Sequence, residues 1–198
     1  MALAALKEPI DPDAFLDWER RQTERHELVG GVVRMMVGAA MGHNTVADNI
    51  HVALATRLRG SPCRAWRADT RVMGANGEFV YPDVLVSCTP RRADELFVDD
   101  PVLVVEVLSP STAEYDQTEK RWLYQAIPSL RQLVYVSPSE AKVELVTRES
   151  DQSWRSLFLT GLDASLALDC LDLSLPMAEI YDGIDVAEAR AAGGQASG

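Results

Sequence analysis

The chain lacks an apolar run long enough to cross a membrane. Its sequence of 198 residues is 47% hydrophobic, but no stretch approaches the roughly 20 apolar residues that a spanning helix needs. Residues 1–8 carry one lysine and no apolar core of the kind that signal peptides have. These absences argue against a membrane protein, and we expect a cytoplasmic one.

Cysteine and histidine are scarce as well. The three cysteines, Cys63, Cys88 and Cys170, are odd in number, scattered and not in a C-x-x-C pair, and the three histidines are also dispersed. This usage indicates a reducing compartment and argues against a disulfide framework or a zinc knuckle. A soft-metal site is therefore not expected, whereas a hard cation with oxygen ligands stays open.

Positive charge is in deficit too. The sequence has 19 Lys and Arg against 30 Asp and Glu, which gives a formal net charge of −11 at pH 7. Nucleic-acid-binding proteins usually carry a basic footprint. The balance therefore counts against a nuclease, although a local basic patch or bound cations can offset it.

The chain does have the length and apolar content of one globular domain. No internal repeat or linker divides it, so we expect a single domain over residues 1–186. From residue 187 onward the sequence is rich in Ala and Gly, and residues 187–198 are expected to be a disordered tail.

Hydrophobic periodicity predicts a mixed α/β domain, a sheet flanked by helices with an N-terminal helix and a β-hairpin. The hairpin closes at Gly30-Gly31. An S-x-x-E capping box at Ser111 begins a helix that ends before Pro128. The strand, this helix and the next strand should therefore form a right-handed crossover between parallel strands. The predicted helices cover residues 11–24, 43–59 and 111–127, and the predicted strands cover 26–29, 32–37, 64–73, 79–87, 102–108, 130–136, 142–147 and 153–159, with a polar loop at 90–100.

Two apolar stretches each contain one carboxylate. Glu106 lies in the middle of the run 102–108, and Asp83 lies near the start of the run 79–86. Burying an unpaired charge is costly, so Glu106 needs a cation, a metal or a proton as its partner, and Asp83 repeats the pattern. The simpler alternatives are an arginine partner for Glu106 and a plain strand-entry role for Asp83.

Lys120 is the cation whose position suits Glu106. It follows Ser111 by nine residues, about 13 Å along a helix that runs back antiparallel to the strand, while Glu106 lies about 7 Å before the strand end. Asp116 and Tyr124 share its helical face at i−4 and i+4. Alternatively, Lys120 and Asp116 form a solvated pair and Tyr124 packs with a tethered hydroxyl.

Two carboxylates and an amine at one point are what metal-dependent phosphodiester hydrolysis requires. The acids hold a cation such as Mg2+, which polarises the phosphate, and a lysine positions or deprotonates the attacking water and stabilises the growing charge. A carboxylate-pair glycosidase is a further alternative. It lacks an aromatic sugar platform, and a nearby lysine suits phosphate better.

The order of these residues resembles a known family. Tyr81-Pro82-Asp83, followed 23 residues later by Glu106-Val107-Leu108, resembles the PD-(D/E)XK nuclease signature. The fuller set resembles the Uma-two family of putative restriction endonucleases over residues 10–182. It comprises His26 to Gly31, Pro82 to Val84, Val105 to Thr112, Asp116, Lys120, Tyr124 and Leu133 to Val136.

The resemblance implies a restriction-endonuclease-like fold that binds Mg2+ (or Mn2+) and acts on DNA. Asp83 and Glu106 would be metal ligands, with the backbone carbonyl of Val107 as a third ligand and Glu27 as a further one. Asp83, Glu106 and Lys120 would form the catalytic set. Because cutting two strands takes two sites, a homodimer is also expected.

The chain departs from the wider superfamily at Leu108, which stands two residues after Glu106 where the signature lysine is expected. In this family the lysine lies on the following helix, and Lys120 matches that position. His43 also matches the family pattern and would contact a phosphate at a helix N-terminus. The simpler alternatives are an exposed hairpin acid for Glu27 and no chemistry for His43.

These inferences lead to two hypotheses of different classes. The first is a Mg2+-dependent DNA endonuclease with a displaced lysine. The second is a catalytically inactive module of the same fold that binds DNA or a protein partner, which the acidic charge and Leu108 favour.

Overall fold

The computed structural model describes residues 10–36, 38–67, 69–109 and 113–186, without the side chain of Glu114. Three of the sequence predictions lie outside the described residues. They are the S-x-x-E cap at Ser111, the absence of a signal peptide at residues 1–8, and the disordered tail at 187–198.

The first helix begins where capping chemistry predicts it, whereas the second helix begins two residues earlier than predicted and has no side-chain cap. The first helix starts at Pro12, and the carboxylate of Asp11 accepts hydrogen bonds from the backbone of Asp13 (3.0 Å) and Ala14 (3.4 Å). It ends at Glu19, earlier than predicted. In the described part of the chain the α-helices are α1 Pro12–Glu19, α2 Met41–Arg57, α3 Ala113–Tyr115, α4 Arg121–Ala126 and α5 Met177–Ile180.

The strands form two larger sheets and a small one within the described residues. The strands are β1 His26–Val29, β2 Val32–Met35, β3 Arg64–Arg67, β4 Arg71–Met73, β5 Phe79–Val80, β6 Val84–Ser87, β7 Phe97–Val98, β8 Leu103–Val107, β9 Gln132–Val136, β10 Lys142–Arg148, β11 Trp154–Thr160, β12 Ser165–Leu168 and β13 Leu173–Pro176. One sheet has the order β2-β1-β5-β4-β7, the second has the order β11-β10-β9-β8-β6-β3, and β12 pairs with β13.

The two strands predicted at 64–73 and 79–87 are each divided, which corrects the sequence prediction. Their outer halves β3 and β6 pair in one sheet, whereas their inner halves β4 and β5 pair in the other. The second break has a clear cause, because Pro82 has no backbone N–H to donate and the N–H of Tyr81 donates to the Glu27 carboxylate at 3.0 Å. Asp83 therefore lies at the junction of the two sheets, directly before β6.

Strand β8 lies in the interior of its sheet and is buried on both faces. Leu103, Val105 and Val107 pack with residues of α2 and α5, while Val104 packs on the opposite face with Leu123 and Tyr124 of α4. Strand alternation puts Glu106 on the same face as Val104. The parallel pairing of β8 with β9 confirms the predicted crossover arrangement.

The sequence pattern predicts a regular α-helix after β8, but the helical segment there is irregular. Between α3 and α4, residues Asp116–Lys120 form a π-helical turn. Asp116 and Lys120 are both buried in it. Single π-turns inside helices frequently mark functional sites.

A disulfide joins Cys63 to Cys88, so the prediction against disulfides is wrong for this pair. Cys63 directly precedes β3 and Cys88 directly follows β6, whose antiparallel register pairs Arg64 with Ser87. The pairing of the two strands thus brings together cysteines 25 residues apart in sequence. Cys170, by contrast, is a free thiol in the described structure.

In the described ranges, no helix is both long and apolar enough to span a membrane.

Candidate active site

Lys120 lies at the centre of a buried cluster of carboxylates. Its Nζ is 2.9 Å from Glu27 Oε1, 2.9 Å from Glu106 Oε1 and 3.4 Å from Asp116 Oδ1. None of the four residues is more than 5% exposed. We call these four residues the Lys120 cluster.

Three elements contribute the four members of the cluster. Glu106 faces the helical segment because it shares a strand face with Val104, and Glu27 is the second residue of β1. The π-helical turn contributes both Asp116 and Lys120. The cluster is therefore assembled where the hairpin, β8 and the helical segment meet.

Two tyrosine hydroxyls hold parts of the cluster. Tyr124 donates to Glu106 Oε1 at 2.6 Å, and Tyr135 donates to the backbone carbonyl of Asp116 at 3.0 Å. Both rings are fully buried. The tethered hydroxyl predicted for Tyr124 is therefore confirmed, and its tether is the carboxylate of the cluster.

Burial and charge act against each other on the titration of the cluster. Burial raises the pKa of Glu106 to about 8, although Lys120 opposes the rise, and the nearby charges of Asp116 and Asp83 add to it. Burial alone would lower the pKa of Lys120, but Glu106 and Glu27 outweigh it and hold that pKa well above its ordinary value. The Lys120 ammonium is thus the cation for three acidic side chains, and the cluster carries more acidic groups than cations.

Asp83 lies beside the cluster but does not contact its lysine in the described structure. Its Oδ2 accepts the N–H of Val107 at 2.7 Å and is 3.3 Å from Nε2 of His43 in the first turn of α2. Burial would lower the pKa of His43, but the hydrogen bond and charge of Asp83 raise it overall. Because Val107 follows Glu106, Asp83 and the Lys120 cluster share one stretch of β8.

A second buried network fixes Tyr81, to which the sequence assigned no role beyond its place in the Tyr81-Pro82-Asp83 motif. Its hydroxyl accepts from Arg71 Nε at 2.5 Å and donates to Glu19 Oε1 at 3.0 Å, and Arg71 also pairs with Glu19. The same tyrosine uses its N–H to hold Glu27 and precedes Asp83 by two residues. The sequence signal was the aromatic residue directly before Pro82.

Several simpler alternatives are corrected by this geometry. Glu27 is not an exposed hairpin acid, because it is 5% exposed and paired with Lys120. Lys120 and Asp116 are not a solvated pair, and the cation beside Glu106 is a lysine rather than an arginine. The structure therefore brings Glu27, Glu106 and Lys120 together and holds Asp83 apart from the lysine.

The oxygen donors available beside the cluster suit a hard cation. In the described residues, no group of three or more His, Cys, Asp or Glu side chains is arranged to hold a metal ion. Mg2+ is usually held by only one or two carboxylates, with water and substrate phosphate completing its shell. Asp83, Glu106 and the Val107 carbonyl match that smaller ligand set in number and chemistry.

The same architecture occurs in a solved structure. A crystal structure described as a "putative nuclease belonging to DUF820" from Anabaena variabilis has a TM-score of 0.72 with this chain, at 17% sequence identity, covering 87% of this chain and 98% of that one. This similarity confirms the predicted restriction-endonuclease-like α/β fold.

The sequence itself matches the Uma2 family, described as "Putative restriction endonuclease", over residues 12–178. The chain belongs to this family. Two relatives from Synechocystis are similar over most of their length. The uncharacterised protein slr1290 is 33% identical over 88% of this chain and 93% of its own, and the uncharacterised protein sll1609 is 28% identical over 84% and 96%.

Proposed function

We propose that this chain is a Mg2+-dependent DNA endonuclease whose catalytic set is Asp83, Glu106 and Lys120. The observation that carries the proposal is the arrival of Lys120 from the following helix at Glu106, 2.9 Å from its carboxylate. This contact supplies the cation that Leu108 does not provide on the strand itself. Family membership supports the nuclease class.

The charge of the site supports a divalent cation. Glu27, Glu106 and Asp116 surround one ammonium, and Asp83 adds a fourth carboxylate nearby. Asp83, Glu106 and the Val107 carbonyl would hold the ion, with Glu27 as a further ligand. When bound, Mg2+ polarises the scissile phosphate and favours ionisation of a coordinated water.

The chain's own residues would prepare the site for this chemistry. Lys120 is held by three carboxylates and offsets charge on the phosphate. It would donate a hydrogen bond to a water once one of these carboxylates turns from it to a metal ion. The Val107 N–H fixes one oxygen of Asp83, and the Tyr124 hydroxyl fixes one oxygen of Glu106. Such supporting contacts keep ligands in place before substrate arrives.

One observation favours the second candidate, an inactive module that binds DNA or a protein. Among the described residues, the three ion pairs of the Lys120 ammonium are all with carboxylates of the cluster itself. A lysine held in this way can serve as a structural counter-ion alone. The two candidates therefore differ in whether Asp83 and Glu106 take up a metal.

Cleavage of supercoiled plasmid and linear duplex DNA tests the proposal, with Mg2+ or Mn2+ against an EDTA control. We expect metal-dependent cutting that Glu106→Gln abolishes. Glu144→Gln is the matched control, because Glu144 is also buried and paired with a cation of the same helical segment. Wild-type activity in Glu106→Gln would overturn the assignment.

Calorimetric titration with Mn2+ separates the two candidates without a cleavage assay. The endonuclease should show a binding heat that Asp83→Asn removes, and the inactive module should show none that depends on Asp83. Circular dichroism of each variant verifies that the fold is retained.

A further inference from the structure

Arg34 lies at the edge of the Lys120 cluster on the β-hairpin. The register of β1 and β2 pairs it directly with Glu27. Side chains directly opposite each other in an antiparallel pair project to the same face. The hairpin that brings Glu27 to Lys120 therefore also brings a guanidinium to the margin of the site.

Arg34 and Lys120 both contact the ring of Tyr115. The guanidinium carbon of Arg34 is 4.4 Å from the ring centre, and Lys120 Nζ is 5.8 Å from it. The two cations thus lie close to the same aromatic side chain. A ligand bound by Arg34 would lie next to the candidate catalytic lysine.

Two polar atoms in this corner have no hydrogen-bond partner among the described residues. They are Nε of Arg34 and the hydroxyl of Tyr115, and both atoms are buried. Folded proteins pair nearly all buried polar atoms with protein or water. Two side chains in contact with each other therefore keep hydrogen-bonding capacity that an acceptor-rich ligand would satisfy.

The existing partner of Arg34 is a weak competitor for such a ligand. Glu119 Oε2 is 3.0 Å from Arg34 Nη2, but the Glu119 side chain is 53% exposed. Exposed ion pairs contribute little to stability. Glu119 can therefore turn to solvent when an anion reaches the guanidinium.

We propose that Arg34 and Tyr115 form a phosphate subsite that binds the nucleic-acid backbone next to the Lys120 cluster. This inference rests on the proposed function, because it takes the DNA strand as the ligand. A guanidinium presents a planar fork that matches two phosphate oxygens. The subsite also places a cation where the surplus of carboxylates would otherwise repel the backbone.

Binding of a short fluorescent DNA duplex in EDTA tests the subsite at several salt concentrations. We expect Arg34→Gln to weaken binding about tenfold and to reduce the slope of log affinity against log salt by about 0.9, the value for one lost phosphate contact. Tyr115→Phe keeps the ring and should weaken binding only a few-fold. A purely structural role for Arg34 would change thermal stability and leave the salt slope unaltered.

Arg155→Gln is the matched control, because Arg155 also pairs with a surface glutamate, Glu149, and lies on β11. Equal affinity and salt slope in Arg34→Gln and Arg155→Gln would overturn the subsite. If wild type cuts DNA and these two variants are equal, only the subsite fails. If wild type binds but does not cut, the proposed function fails and the salt slope still decides the subsite.

Discussion

Two buried glutamates on one sheet face are each paired with a cation, but the two pairs differ in charge balance. Glu106 on β8 and Glu144 on β10 both lie opposite Tyr135 of the strand between them. Their cations are consecutive in sequence, Lys120 and Arg121. Neighbouring residues of one helical segment thus serve two acids of one sheet.

The two pairs differ in charge balance. Arg121 Nη2 is 2.7 Å from Glu144 Oε1, and the Ser156 hydroxyl also donates to that oxygen at 2.7 Å. That pair is one cation to one acid. Lys120 instead serves three carboxylates, so its cluster retains negative charge that a second cation would neutralise. This surplus distinguishes a candidate metal site from a structural ion pair.

Replacing each of the two cations should give the largest difference in the free energy of unfolding between the two pairs. Lys120→Met leaves three buried acids without a cation, so the free energy of unfolding should fall by about 3–5 kcal/mol. Arg121→Met should lower it by about 1–3 kcal/mol, because Glu144 keeps its Ser156 hydrogen bond. Urea denaturation of the full chain measures both, and equal losses would contradict the proposed difference.

The pH dependence of stability should distinguish the two glutamates by a few kcal/mol or less. The pKa of Glu106 is raised to about 8 in the fold, above its value in the unfolded chain. The folded state therefore binds the proton more tightly, so the stability that Glu106 contributes is fully present below about pH 4.5 and is lost as the pH rises through about 8.

Glu106→Gln cannot titrate and should flatten this decline, whereas Glu144→Gln should keep it. Urea midpoints at several pH values between 4 and 9 provide the measurement. An unchanged decline in Glu106→Gln would assign the dependence to another group.

Removing the hydroxyls of Tyr124 and Tyr135 should give the smallest difference in stability between two variants. Tyr124→Phe removes a hydrogen bond to the Glu106 carboxylate, and the expected loss is about 1.5–3 kcal/mol. Tyr135→Phe removes one to a neutral backbone carbonyl, for which about 1 kcal/mol is expected. Thermal unfolding measures both, and a larger loss in Tyr135→Phe would reverse the ranking.

The candidate site was largely predictable because its members sit in strong local patterns. An acid inside an apolar strand, as at Glu106, must have a partner wherever the strand is buried. The crossover from β8 to β9 then brings the following helix back over that strand, and this delivers Lys120. Asp83 was located correctly at a strand entry, but its contact with His43 required the packing of α2.

Three features could not be derived from local patterns. The division of the strand predicted at 79–87 between two sheets involves the hydrogen bond of the Tyr81 N–H to the Glu27 carboxylate, 54 residues away in sequence. The disulfide depends on the register of β3 against β6, which places Cys63 next to Cys88. The π-helical turn places Lys120 by a backbone shift that a 3.6-residue period does not express.

The sequence by itself determined the mixed α/β class, the parallel crossover and the meeting of Glu106 with Lys120, because periodicity and chain connectivity act over short distances. Tertiary structure alone decided the burial of Glu27, the pairing of Asp83 with His43 and the position of Arg34 beside Tyr115. Those outcomes depend on which surfaces of distant segments come into contact. The local sequence around a residue does not specify such long-range contacts.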